Sequence, residues 1–176
     1  LRRQRQMCIR DSLITLLIVD AFDSLDGAVA RHDDPSVQPR ERFIGLVGAM
    51  RQWALEFSQR WGLIYGTPIV GYQAPTTETI AAGTKVSRRL ASLLEQSTVV
   101  PLRQRSPHLD ADMEAAAKDM GSELSADAME MALEAWVRII GLINAEVFGY
   151  LGRDTLSEFA EFHARAVSRL ADELGL

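Results

Sequence analysis

Residues 125–150 read SADAMEMALEAWVRIIGLINAEVFGY, and the fold is decided here. Ser125 is an N-cap residue type, whose hydroxyl accepts from the unpaired N–H groups of a first helical turn. Gly149 and Gly152 supply the stop. Between these signals Met129, Leu133, Trp136, Ile140, Ile143 and Val147 recur at helical spacing and share one face. Met131, Ala135, Leu142, Ala145 and Phe148 fall on another. A helix apolar on two faces calls for two packing partners, one inside the subunit and one outside it.

The same period runs along the rest of the chain. Residues 13–30 follow the cap types Asp11 and Ser12 and carry Leu13, Leu16, Leu17, Ala21, Leu25 and Ala28, widened by Ile14, Ile18 and Phe22. So apolar a helix is expected at the centre of the domain. Pro39 opens a second helix, with Glu41 in its first turn and Phe43, Leu46, Val47, Met50, Trp53, Ala54 and Phe57 along it. Residues 58–65 form a short third helix ended by Gly66. Thr76 or Thr77 caps a helix over 76–94, a short acidic one covers 110–120, and Asp154 caps the last, 155–174. Residues 32–39, 66–75 and 96–109, each with two prolines, are linkers. No strand alternation, hairpin signal or repeat is present. The expected fold class is all-α, an antiparallel helical bundle of about six to seven helices.

The chain is 176 residues, one domain's worth. Its 24 acidic and 19 basic side chains give a net charge of −5, unevenly spread. Arg2, Arg3, Arg5 and Arg10 put +4 on the first ten residues, which leaves 15 basic and 24 acidic side chains on residues 11–176. A body at −9 repels phosphate and is a poor nucleic-acid binder by itself. Residues 1–9 are expected to be a disordered basic tail or junction sequence and 10–176 the folded domain. No apolar run approaches the ~20 residues of a membrane span. A single cysteine, Cys8, excludes a disulfide framework and lacks a positioned base, so it reads as a spare thiol.

The motifs that carry catalysis are missing. There is no Cys-x-x-Cys, His-Glu-x-x-His, Gly-x-Ser-x-Gly or phosphate-cradling Gly-x-x-x-x-Gly-Lys. Glu158 and Glu161 precede His163 by five and two residues, whereas a di-iron bundle needs Glu-x-x-His. His163 is read as a surface or interface histidine. No cofactor, no metal and no enzyme activity are expected. The aromatic residues Trp53, Phe57, Trp61, Tyr65, Tyr72, Trp136 and Phe148 are open to two readings, core packing or the wall of a ligand pocket between helices.

Arg51-Gln-Trp-Ala-Leu-Glu-Phe57, followed by Leu63-Ile-Tyr-Gly-Thr-Pro-Ile-Val-Gly-Tyr-Gln-Ala-Pro75, resembles the regulatory domain of TetR-family transcriptional regulators. More narrowly it is similar to the C-terminal class named for a Trp-His-Gly signature. Ala135-Trp-Val-Arg-Ile-Ile-Gly-Leu142 sits where that signature belongs, and Glu146-Val-Phe-Gly-Tyr-Leu-Gly152 also fits. Ile140 stands at the signature's histidine, which makes the site more apolar. The family's N-terminal helix-turn-helix DNA reader has no counterpart in these residues, so DNA contact is expected only through that missing part. The resemblance implies a cytoplasmic bacterial homodimer, paired through the last two long helices, that binds a small apolar effector. It points to Phe22, Met50, Trp53, Phe57, Tyr65, Trp136 and Ile140 as ligand-binding residues. It points to Met131, Ala135, Leu142, Ala145, Phe159, Phe162, Ala166 and Leu170 as the dimer interface. The alternatives are a standalone dimerisation module without ligand, or a small helical enzyme.

Overall fold

A computed structural model of the chain describes residues 2–95, 105–152 and 155–176, with side chains from residue 9 onward other than that of residue 76. The expectations for the side chains of residues 1–8, Cys8 included, for the linker at 96–104 and for an Asp154 cap lie outside the described residues. The helices are α1 (Arg2–Ala30), α2 (Pro39–Glu56), α3 (Ser58–Tyr65), α4 (Thr76–Gly83), α5 (Lys85–Leu94), α6 (Pro107–Met120), α7 (Ala126–Val147) and α8 (Phe159–Glu173). No strand occurs among the described residues, and the fold is all-α as expected. No helix is long and apolar enough to cross a membrane among the residues described.

Several boundaries differ from the sequence reading, each for a local reason. The backbone of α1 is helical from Arg2, where a disordered tail was expected. Nothing in residues 2–12 breaks a helix, and Arg, Gln and Met all favour one. The helix expected over 76–94 is two, parted at Thr84, whose hydroxyl turns back to the Ile80 carbonyl (2.9 Å). Gly83 at the break lies against α1: a Cβ there would sit 3.1 Å from the Phe22 ring. α6 starts three residues early. Pro107 occupies its first turn instead of a linker, and the Ser106 hydroxyl caps it by accepting from the Leu109 N–H. Gly121 ends α6 in the left-handed conformation, φ 65°. α7 begins at the expected cap, with Ser125 Oγ accepting from the Ala128 N–H at 3.2 Å.

The central element is α2. It packs on α1, α3, α5, α7 and α8, and buries Phe43, Leu46, Val47, Ala49, Met50, Trp53 and Ala54. Full burial of each large apolar side chain contributes roughly 1.5–3 kcal/mol. The central place expected for the helix at 13–30 is therefore corrected. α1 buries Ile18, Ala21, Leu25, Ala28 and Val29 but leaves Leu13, Leu16 and Leu17 exposed.

Acidic residues tie α1 to its neighbours. Asp20 pairs with Arg60 of α3 at 2.8 Å, Asp23 with Lys85 at 2.7 Å and Asp26 with Arg89 at 2.8 Å. Arg89 also reaches Asp33 beyond the end of α1 (2.9 Å), and Asp33 takes Arg42 of α2 (2.5 Å). Lys85 and Arg89 sit one turn apart on α5. The outer pairs are exposed and worth at most ~1 kcal/mol each.

Candidate functional site

An apolar cavity of about 190 Å³ lies between α5, α6 and α7. α5 builds one wall: Leu90, Ala91 and Leu94 recur at helical spacing and turn inward, while Lys85 and Arg88 face outward. Met120 of α6, Phe43 of α2 and Leu174 after α8 close the sides. From α7 come Met129, Ala132, Leu133, Ala135, Trp136 and Ile139. The space exists because Ala91 faces Ala132 and Ala135, three methyl groups where larger side chains would meet.

The wall contains no charged residue, and its polar side chains outside the Trp136 indole are Thr84 and Ser87. Both hydroxyls donate to backbone carbonyls, Thr84 to Ile80 (2.9 Å) and Ser87 to Thr84 (3.0 Å), which leaves them lone pairs only. The three indoles differ. Trp53 Nε1 donates to Ser24 Oγ (3.1 Å) and Trp61 Nε1 to Asn144 Oδ1 (2.7 Å). The Trp136 indole N–H makes no hydrogen bond to the described residues.

Beside the cavity the other aromatic side chains pack on one another. Ring centroids lie 6.5 Å apart for Trp53–Trp61, 4.5 Å for Trp61–Tyr65, 5.8 Å for Phe22–Tyr65 and 6.0 Å for Tyr65–Trp136. Such edge and tilted contacts add roughly 0.5–1.5 kcal/mol per pair beyond burial. The Tyr65 hydroxyl is buried without a partner, and burial pushes its ionisation above the ordinary range.

The residues expected around a ligand are thus divided. Trp136 is on the cavity wall. Phe22 and Tyr65 belong to the aromatic cluster, Met50 and Trp53 to the closed core, and Ile140 packs partly buried against it. Phe57 sits at the α2–α3 corner, 36% exposed, against Trp53 and beneath Arg60. Ring-on-ring packing fills the volume that the sequence reading left to a ligand. The wall residues it missed, Leu90, Ala91, Leu94, Met129 and Ile139, carried a signal in the inward stripe of α5 facing the alanines of α7.

A buried polar cluster lies elsewhere. Arg51 of α2 grips Glu146 of α7 with two hydrogen bonds, Nε–Oε2 at 2.6 Å and Nη2–Oε1 at 2.5 Å. His163 of α8 is 4% exposed, so the surface or interface placement expected for it is corrected. Its Nε2 has no partner. Burial, helped by the nearby Arg51 charge and opposed by Glu146, lowers its pKa to about 4. Among the described residues, no three His, Cys, Asp or Glu side chains converge as a metal site.

On the outer side, Leu142 and Ala145 of α7 and Phe162, Ala166 and Leu170 of α8 line one groove, rimmed by Arg138 and Arg169. Phe159 borders a neighbouring groove with Ala145, and Met131 packs partly buried against the core. Ala135, expected on this outer face, is 4% exposed and faces the cavity instead. Ala135 lies nearly in line with Leu142, two turns earlier along α7, and the difference is what covers each turn: α5 residues share the wall with Ala135, α8 residues the groove with Leu142.

Residues 43–170 match the family model described as "Tetracyclin repressor-like, C-terminal domain". The chain is 30% identical over 161 residues to the HTH-type transcriptional regulators Mb1846 of Mycobacterium bovis and Rv1816 of Mycobacterium tuberculosis, covering 88% of this chain and 69% of each relative. The crystal structure of SCO4313, described as a regulatory protein, superposes with a TM-score of 0.73 at 25% identity, over 92% of this chain and 73% of that one. These relatives are regulators and not enzymes. By family model, relatives and fold together, the chain belongs to the TetR-like transcriptional regulators and carries their C-terminal domain.

Proposed function

We propose that this domain senses a small apolar molecule in the α5–α6–α7 cavity and pairs with a second copy through the outer faces of α7 and α8. The observation that carries the reading is the uncharged cavity in a wall, α5, whose Lys85 and Arg89 hold Asp23 and Asp26 of α1. A ligand that displaces α5 pulls on α1 through these pairs. The effect is regulatory only if the ligand has different affinities for the two α1 positions. The relatives are named HTH-type transcriptional regulators, which supports operator DNA, in the cytoplasm, as the partner that the domain regulates. A ligand-free dimerisation module is the second reading, favoured by the closed packing around Trp53 and Trp61.

Both parts are testable. Light scattering at micromolar concentration is expected to give a dimer, and Leu142→Glu with Ala166→Glu a folded monomer. A wild-type monomer refutes the pairing. A thermal-shift screen of a broad small-molecule library is expected to yield compounds that stabilise the wild type but not Ala91→Leu. A library without such a compound leaves the ligand-free reading.

A further inference from the structure

We infer that the ligand of this cavity is a neutral molecule of about one six-membered ring with short substituents, carrying a single hydroxyl. This rests on the effector-binding reading above and narrows it to a chemical class.

Three observations fix the class. Size comes first. An apolar cavity of ~150 Å³ accommodates benzene, so 190 Å³ holds a substituted ring, and a long acyl chain or a fused polycycle would extend beyond its walls. Charge is second. With no ionisable side chain on the wall, a carboxylate or ammonium would enter without a counter-charge, at a desolvation cost the cavity cannot offset. Polar pairing is third. Thr84 and Ser87 have committed their protons to backbone carbonyls and offer only acceptance. A hydroxyl, which has a proton to give, answers these two acceptors. The remaining wall, Phe43, Leu90, Met129 and Ile139 among it, recognises only apolar surface, and the Met120 and Met129 thioethers adapt to a ring edge.

The test uses the chain as it stands, by calorimetric titration at pH 7 with 4-ethylphenol, 4-ethylbenzoate and 4-octylphenol. The phenol is expected to bind, with 4-ethylbenzoate and 4-octylphenol at least tenfold weaker. Ala91→Leu and, independently, Ala132→Leu fill the cavity and are expected to abolish phenol binding at an unchanged or higher Tm. If one of these variants fails to fold, the other decides. Equal or tighter binding of the carboxylate or of the octyl compound overturns the proposed class. So does phenol binding that survives both substitutions in folded protein. Absence of phenol binding overturns it as well. In each of these cases library hits sensitive to Ala91→Leu leave the broader sensing reading standing, and their absence removes that too.

Discussion

His163 makes the stability of this domain depend on pH in a window where most folded domains are nearly flat. Its ordinary pKa is 6.5, and in the folded chain burial beside Arg51 brings it to about 4. Above pH 6.5 both folded and unfolded states carry a neutral imidazole, and the residue contributes no difference. Below it the unfolded chain takes up a proton and the folded chain does not. Stability is therefore lost as pH falls from about 6.5 through about 4, at up to ~1.4 kcal/mol per pH unit. By pH 5 the loss is about 2 kcal/mol, and it approaches roughly 3 kcal/mol below the folded pKa. Urea unfolding of the wild type and of His163→Leu at pH 7.5 and pH 5 isolates this contribution. Leucine removes both the titration and the unpartnered Nε2, so the stability difference between the two pH values is expected to shrink by about 2 kcal/mol in the variant. An equal difference in the two proteins would mean that His163 is protonated in the fold, and the reasoning from burial would fail.

Two further outcomes follow from buried polar groups. Tyr65→Phe deletes a buried hydroxyl that has no partner, so the variant is expected to be as stable as the wild type or about 1 kcal/mol more so; a loss exceeding 1 kcal/mol in thermal unfolding would show that the hydroxyl is satisfied. Arg51→Met leaves the Glu146 carboxylate buried alone and is expected to cost about 3 kcal/mol, most of it recovered in the double variant Arg51→Met/Glu146→Leu. Additive losses in that cycle would refute the pairing.

Much of the fold was legible because caps and period acted together. Ser125, Pro39 and Gly66 marked helix ends that the structure keeps. The split at Thr84 was not legible, because it depends on a contact with Phe22, 61 residues from Gly83 in the chain, and no local rule reports it. The site was harder to read. Aromatic residues look alike to a sequence whether they line a space or fill it, and only the ring distances show that Trp53, Trp61 and Tyr65 fill theirs. The cavity is made by small residues, Ala91, Ala132 and Ala135, whose significance depends on what faces them. His163 reads as a surface or interface histidine because no motif in the sequence claims it, yet helix geometry turns it inward with Val167 and Leu170.

The carboxylates along α1 give the molecule two separable kinds of cohesion. Apolar burial by Ile18, Ala21 and Leu25 holds α1 against the body without regard to direction. The pairs Asp23–Lys85 and Asp26–Arg89 do depend on position, since each carboxylate meets its cation at one axial position only. Attachment is thus set by grease and alignment by charge. At ~1 M salt, where screening acts over about 3 Å, alignment loosens while attachment persists. The alignment of α1 against α5 is thus the part of its attachment that follows the ionic strength around it.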